Sequence, residues 1–205
     1  MKVKKIAVFI SGRGSNFKAI ATEVNRGKIN AVIDVVISDN PDAAGLRYAH
    51  EQEIEYAVFK KKKDQSRSDY FVKISEFLKR RKIDLIVLAG FMKVLSSNII
   101  EEHRNRILNI HPALLPSFPG VHAQKQALEY GVKYSGCTVH FIDEGIDSGP
   151  IILQEVVQVF EDDTEDTLSA RILEKEHTIY PNAVKLFCEN RLIIEGRRVF
   201  IKQPQ

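Results

Sequence analysis

The chain has 205 residues, 44% of them hydrophobic, and a formal charge of +3 at pH 7. This length is typical of one domain with its own core, and the small positive charge is too weak to indicate a nucleic-acid-binding protein. Only two cysteines occur, Cys137 and Cys188, and their spacing excludes a C-x-x-C metal or redox motif. Residues 6–10 form too short an apolar run for a signal peptide, and no run reaches the roughly 20 residues of a membrane span. We therefore expect a soluble cytoplasmic protein without a nucleic-acid or membrane partner.

Apolar runs alternate with amphipathic stretches along the first half of the chain. The runs predict strands at residues 5–10, 31–37, 56–59, 84–89 and 107–110. The stretches between them predict helices at residues 16–26, 41–52, 68–82 and 97–103. Asp39 or Asn40 is expected to cap the second helix, with Pro41 at its first position. This alternation is typical of a doubly wound, mostly parallel α/β sheet of the Rossmann-like kind, with helices on both faces.

The last third of the chain has a different pattern, which predicts a mixed or antiparallel C-terminal portion. A helix at residues 123–130 is expected to end at Gly131, and strands at 138–142 and 150–160 are joined by a short loop. A long helix at 164–190 contains Pro181, which is expected to kink it. Residues 192–200 predict a closing hairpin. Because no repeat or linker interrupts the sequence, we expect a single domain over residues 1–205.

Asn109 and His111 lie two residues apart at the end of a predicted strand, so their side chains leave the same face. Pro112 cannot continue a central strand and therefore ends it. Asp147 lies further along, on a glycine-flanked loop. An amide donor, an imidazole and a carboxylate are the groups that stabilise a tetrahedral intermediate and move its protons. Each residue also has a structural alternative, as a buried histidine or a turn residue, and the sequence does not show that the Asp147 loop reaches His111.

A glycine-rich segment at residues 11–16 follows the first strand and opens a helix. Glycines allow close backbone approach, and the first amides of a helix favour an anion. Phe17 stands where the dinucleotide-binding fingerprint needs its third glycine, and no Gly-Lys-Ser/Thr follows, so a single phosphate monoester fits best. The alternative is a tight turn in which Ser15 only caps the helix.

Other polar residues near these motifs leave further alternatives open. Thr138 and His140 share a strand face and could join the site, or could be satisfied polar groups beside it. Cys137 is expected to be a small buried residue rather than a nucleophile, and the lysines at 60–63 a solvated face. We expect no metal, because the spacing of a zinc site is missing. A zinc alternative would draw on His111, His122, His140 and Asp147.

Five segments of the chain match motifs of a known family. They are residues 12–16, 89–92, 109–116, 136–149 and 176–181. Through them the chain resembles the phosphoribosylglycinamide formyltransferases over essentially its whole length. This resemblance implies transfer of the formyl group of 10-formyltetrahydrofolate, a co-substrate, to glycinamide ribonucleotide in purine biosynthesis, without a metal.

The resemblance implies a role for each matching residue. The catalytic residues would be Asn109, His111 and Asp147. The ribonucleotide would be bound at its phosphate by Gly14, Ser15, Asn16 and Arg67, at its amine by the Met92 backbone, and at its ribose by Glu176. The folate would be bound by Lys93, Val94 and Leu95, with Val121 nearby, and by Ile142, Asp143, Glu144 and Gly145 of the Asp147 loop. The part up to about residue 105 would thus bind the ribonucleotide, and residues 106–205 would bind folate and carry out catalysis. Lys93 is a departure, since some relatives have arginine there.

In the implied reaction the substrate amine attacks the formyl carbon directly. Asn109 and protonated His111 would donate to the oxyanion, and Asp147 would favour the imidazolium and position a water that relays the proton. The alternatives are a formyltetrahydrofolate hydrolase, whose relatives carry an extra N-terminal domain, and a methionyl-tRNA formyltransferase, which has a further C-terminal RNA-binding domain. A non-catalytic phosphoribosyl-ligand sensor would need none of the three catalytic residues. The sequence leaves a monomer or a homodimer open.

Overall fold

A computed structural model describes residues 2–203 and divides after Leu108 into two compact units. The predicted fold class is confirmed: an open α/β sheet, mostly parallel, with an antiparallel C-terminal part. The boundary between the units falls inside one strand, β5 (Ile107–His111). Among residues 2–203, no helix has both the length and the apolar character needed to cross a membrane.

The first unit has four further strands in the order β3-β2-β1-β4, and the registered pairs are parallel. Residues 6–10 of the central strand are fully buried, as expected of a parallel strand covered on both faces. The strands are β1 (Lys4–Ile10), β2 (Ala31–Ser38), β3 (Tyr56–Val58) and β4 (Leu85–Leu88). The helices are α1 (Ser15–Asn25), α2 (Ala44–Glu51), α3 (Arg67–Arg81) and α4 (Ser97–Glu102).

The starts of two helices differ from the prediction. Helix α2 begins at Ala44 instead of residue 41, because the side chain of Asn40 accepts a hydrogen bond from the Asp42 N–H at 3.0 Å and holds a turn there. The prediction that Asp39 or Asn40 caps this helix is therefore wrong. Helix α1 has Gly14 as its N-cap, with no side-chain capping bond, so the alternative in which Ser15 caps it is also wrong.

The second unit continues from β5 in the order β5-β6-β7-β9-β8. Its elements are α5 (Ala123–Tyr130), β6 (Tyr134–Phe141), β7 (Ile151–Gln158), α6 (Glu165–Cys188), β8 (Leu192–Glu195) and β9 (Arg198–Ile201). Strands β6 and β7 pair antiparallel, β8 and β9 form the predicted hairpin, and β9 runs parallel to β7. Strand β6 begins four residues earlier than predicted. Gly136 allows this extension, because a Cβ there would lie 1.9 Å from the Glu155 carbonyl oxygen.

Helix α6 begins with a capping box, in which Thr164 and Thr167 each accept the other's backbone N–H. The helix continues through Pro181 to Cys188. The pKa of the Cys137 thiol is raised to about 12, mainly by burial and to a smaller extent by the negative charges of Glu176 and Glu155. A thiol held in its protonated form is a poor nucleophile, which agrees with the structural role expected for Cys137.

Candidate active site

The structure brings His111 and Asp147 together within the second unit. His111 ends β5, and Asp147 lies on the loop between β6 and β7. Asp147 Oδ2 lies 3.3 Å from His111 Nδ1 and also accepts a hydrogen bond from the Gly120 N–H at 2.8 Å. The loop therefore reaches the histidine, which the sequence alone did not establish.

Both ring nitrogens of His111 face oxygen acceptors. Nε2–H donates to the Phe118 carbonyl at 2.8 Å, while Nδ1 faces the Asp147 carboxylate. The His111 side chain is only 5% exposed, so water does little to replace either partner. Only the doubly protonated ring can donate to both acceptors at once, so this geometry suits an imidazolium.

Asn109 is oriented by His140. The Nδ1–H of His140 donates to the Phe141 carbonyl at 2.9 Å, which leaves its Nε2 as an acceptor. Asn109 Nδ2 lies 3.2 Å from that nitrogen and donates to it. Burial lowers the pKa of His140, which keeps the ring in the neutral form that can accept this bond. One amide proton of Asn109 is thereby fixed in direction.

The glycine-rich segment of the first unit opens α1 as predicted. Gly14 has a φ of 70°, in the left-handed region, and a Cβ there would lie 3.0 Å from the Cα of Gly45. Ser15 and Asn16 form the first turn of the helix, where backbone amides favour an anion. Arg67 is exposed at the start of α3, and within residues 2–203 it makes no hydrogen bond or ion pair to this segment.

The remaining predicted binding residues range from exposed to buried. In the first unit, Met92 and Val94 are exposed, Leu95 is buried, and the Lys93 ammonium lies 3.0 Å from the Asp39 carboxylate. In the second unit, the Asp147 loop runs from half-buried Ile142 and Asp143 to exposed Glu144 and Gly145, Val121 is exposed, and Glu176 is buried in α6.

The chain matches a known protein family over most of its length. The model of the formyl transferase family matches residues 4–184. The chain is 40% identical over 199 residues to a phosphoribosylglycinamide formyltransferase of Haemophilus influenzae, which covers 97% of this chain and 94% of that protein. The chain belongs to the phosphoribosylglycinamide formyltransferase family.

Solved structures and longer proteins are also similar to this chain. The crystal structure of glycinamide ribonucleotide transformylase 1 from Symbiobacterium toebii has a TM-score of 0.96 at 47% identity, covering 98% of this chain and 95% of that one. The trifunctional purine biosynthetic protein adenosine-3 of Drosophila melanogaster is 46% identical over 193 residues, 93% of this chain but only 14% of that protein. This chain thus spans about a seventh of the length of that insect relative. A formyltetrahydrofolate deformylase from Pseudomonas syringae has a TM-score of 0.92 at 23% identity, which shows a shared fold alone.

The Asp147 loop is held by its own side chains. Asp143 Oδ1 accepts hydrogen bonds from the Gly145 N–H at 3.1 Å and from the Ser148 hydroxyl at 2.6 Å. Asp147 itself has a φ of 49°, a left-handed conformation that is uncommon for residues other than glycine. Such a conformation persists only where surrounding contacts hold it, so we infer that these bonds keep Asp147 in place.

The end of the loop that leads into β7, at Ser148 and Gly149, is fixed by close contacts with residues outside the loop. A Cβ on Gly149 would lie 1.8 Å from the Phe141 carbonyl oxygen, so only glycine fits there. The Arg197 guanidinium, from the turn between β8 and β9, donates to the Ser148 carbonyl at 2.9 Å. Sequence analysis missed Arg197, because no motif connects a hairpin turn to a loop so distant in the chain.

Thr138 is a satisfied polar group beside the site. Its hydroxyl donates to the Ala113 carbonyl at 2.7 Å and accepts from the Leu115 N–H and from Gln154 Nε2, both at 3.0 Å. These bonds use the full capacity of a hydroxyl and fix the segment after β5. Gln154 also donates to the Leu115 carbonyl at 2.9 Å. Sequence analysis missed this residue, because it belongs to no recognisable motif.

The zinc alternative finds no support in the described part of the chain. No group of three or more His, Cys, Asp or Glu residues there has an arrangement that could hold a metal ion.

Proposed function

We propose that this formyltransferase transfers the formyl group of 10-formyltetrahydrofolate to the amine of glycinamide ribonucleotide, in purine biosynthesis, with Asn109, His111 and Asp147 as its catalytic residues. The observation that carries the proposal is the contact of 3.3 Å between the Asp147 carboxylate and the His111 ring. With oriented Asn109 beside them, the second unit combines oxyanion donors with a carboxylate that can take part in proton transfer.

The acceptor amine attacks the formyl carbon directly, and its own nucleophilicity makes a covalent enzyme intermediate unnecessary. The remaining Nδ2–H of Asn109 and an N–H of His111 donate to the oxyanion of the tetrahedral intermediate. Donors of this kind are typically worth about 3–4 kcal/mol each. Because His111 Nε2–H is bound to the Phe118 carbonyl, its use as a donor requires that this bond be exchanged for one to the oxyanion.

Asp147 supports the imidazolium through its nearby negative charge and positions a water that carries the proton from the attacking amine to the leaving folate nitrogen. Transfer without hydrolysis requires that other water be excluded, and the Asp147 loop is the element next to the reacting groups that can do so.

Binding roles are proposed residue by residue. In the first unit, the ribonucleotide is bound through Gly14, Ser15, Asn16, Arg67 and Met92, and the folate through the backbone of residues 93–95. In the second unit, Glu176 binds the ribose, and Ile142, Asp143, Glu144 and Gly145 bind the folate with Val121. We propose one domain whose part up to about residue 105 serves mainly the ribonucleotide and whose residues 106–205 serve mainly folate and catalysis. The cytoplasmic location and the monomeric or homodimeric state stay predictions.

A formyl-transfer assay tests the proposal directly. The protein is mixed with 10-formyltetrahydrofolate, with and without glycinamide ribonucleotide, and tetrahydrofolate release is followed. Release that depends on the ribonucleotide supports the transferase. Equal release without it would indicate a hydrolase, and no release in either case would favour a non-catalytic sensor of phosphoribosyl ligands.

Replacement of Asp147 by Asn tests the catalytic assignment. The amide keeps the shape of the side chain but cannot stabilise the imidazolium by charge, so we expect turnover to fall by roughly a hundredfold or more, while KM for both substrates changes little. Asp162→Asn, an exposed carboxylate in the same unit, is the matched control and should keep full activity. Near-normal turnover of the Asp147 variant would contradict the assignment.

A further inference from the structure

Three loops of the first unit come together at the carboxyl ends of β2, β1 and β4, which are neighbours in its parallel sheet. Asp39 directly follows β2, Ser11 directly follows β1, and Met92 and Lys93 lie on the segment after β4. Ligands of open parallel sheets bind at this edge. A polar network in this position can therefore act on a bound substrate.

The Asp39 carboxylate links the other two loops. Its Oδ1 accepts a hydrogen bond from the Ser11 hydroxyl at 2.6 Å, and its Oδ2 lies 3.0 Å from the Lys93 ammonium. Ser11 Oγ in turn accepts a hydrogen bond from the Met92 N–H at 2.8 Å. The Asp39 side chain is only 10% exposed, so these partners, more than water, neutralise its charge.

The carboxylate also sets the direction of these bonds. A serine hydroxyl has one proton, and because Ser11 gives it to Asp39, only lone pairs remain to face the Met92 N–H. Successive bonds of this kind polarise and strengthen one another. The Ser11 backbone is held as well, since its N–H donates to the Gly90 carbonyl at 3.1 Å and its carbonyl accepts from Asn40 Nδ2 at 3.2 Å.

The Met92 segment is thus held at two successive residues, by the Met92 N–H and by the Lys93 side chain. Asp39 does not cap helix α2, because that helix begins well after it, at Ala44. Lys93 is 35% exposed, yet its ammonium is directed to Asp39. The pairing leaves the backbone of residues 93–95, more than the Lys93 side chain, for a folate contact.

We propose that Asp39 and Ser11 are positioning residues for the acceptor amine, and that the Lys93 ammonium is the counter-ion of Asp39 and not a folate ligand. This inference rests on the proposed function, in which the Met92 backbone meets the amine of the ribonucleotide. A small displacement of a segment that positions a substrate lowers the rate strongly, because the reacting atoms must be held in line.

The first experiment replaces Asp39 by Ala and measures both substrates. We expect kcat/KM for the ribonucleotide to fall by roughly tenfold or more, while KM for 10-formyltetrahydrofolate stays within about twofold of wild type. A general loss of folding would not separate the two substrates in this way. Asp42→Asn, an exposed carboxylate three residues along, is the matched control and should behave as wild type.

The second experiment is a double-mutant cycle with Asp39→Asn and Lys93→Met. It tests the same inference even if the Asp39→Ala protein does not fold. If Lys93 acts through Asp39, the double variant should lose about as much activity as either single variant, and the Kd for tetrahydrofolate measured by calorimetry should not change with Lys93→Met. Multiplicative losses together with a roughly tenfold weaker tetrahydrofolate affinity in Lys93→Met would overturn the inference.

The outcomes separate this inference from the proposed function. If wild type and Asp42→Asn show no ribonucleotide-dependent release of tetrahydrofolate, both fall. If they do show it and Asp39→Ala matches them for both substrates, the proposed function stands and the positioning role of Asp39 is refuted.

Discussion

At the scale of single residues, the two histidines of the candidate site differ in the partners that their ring nitrogens face. His111 faces two oxygen acceptors, which suits an imidazolium, whereas buried His140 must stay neutral to accept from Asn109. The pKa of His140 is lowered mainly by burial, and the Phe141 carbonyl fixes which ring nitrogen carries its proton. His140 therefore positions Asn109, the proposed oxyanion donor.

We expect His140→Gln to lower kcat by roughly tenfold, because the flexible glutamine side chain holds an acceptor for the Asn109 amide less rigidly than the imidazole ring does. The pH profile of kcat should keep its shape, since a neutral positioning residue contributes no titration to it. The comparison is a kinetic pH series of wild type, His140→Gln and the control His50→Gln, an exposed histidine at the end of α2. Disappearance of one limb of the profile in His140→Gln would mean that His140 itself transfers the proton.

At the scale of elements, the β8–β9 hairpin supports the loop that carries Asp147. Strand β9 joins β7 through the pair Ile151 and Arg198, and the adjacent Arg197 donates to the Ser148 carbonyl at 2.9 Å. Asp147 is held in a left-handed conformation that costs of the order of 1–2 kcal/mol. The loop therefore depends on tethers at its ends, and this hairpin provides one of them.

We expect Arg197→Ala to lower kcat by roughly three- to tenfold while changing the free energy of unfolding by less than about 1 kcal/mol, because it removes one exposed hydrogen bond. Hydrogen exchange of residues 143–149 should become faster, as expected when a loop loses a tether. Arg198→Ala is the matched control, since that guanidinium stacks on the Phe200 ring of the same hairpin instead. Equal effects of the two variants would show that the hairpin, and not the Arg197 bond, supports the loop.

At the scale of the whole molecule, a buried histidine that is not one of the candidate site residues is expected to couple stability to pH. His103 lies at the end of α4 and is 4% exposed. Burial, followed by the charges of Arg106 and Lys79, lowers its pKa from 6.5 to about 4. Between these values the unfolded chain holds a proton on His103 that the folded chain does not. Acidification through this range therefore favours unfolding, and the full stability returns above the upper value.

We expect the free energy of unfolding to fall by up to roughly 3 kcal/mol as the pH drops from 6.5 to about 4, as linkage to a shift of this size requires. His103→Gln should have a flatter dependence over the same range, because its side chain does not titrate. Urea unfolding at a series of pH values measures both slopes. Parallel slopes for the two proteins would show that other groups cause the acid sensitivity.

The sequence could predict much of the fold, because hydrophobic periodicity and local chain stops act over a few residues. Pro112 ends β5 directly after His111, and helix α5 has the predicted bounds with Gly131 closing it. The start of α2 was mispredicted, because the side-chain bond from Asn40 to the Asp42 N–H held a turn where the pattern allowed a helix.

The sequence by itself determined the residue types of the site and the strand face shared by Asn109 and His111, since alternation along a strand is local geometry. Only the tertiary structure decided that Asp147 reaches His111, that His140 orients Asn109, and that Asp39 pairs with Lys93. Each of these contacts joins segments far apart in the chain. Loop paths and burial, which no local pattern encodes, fix their distances.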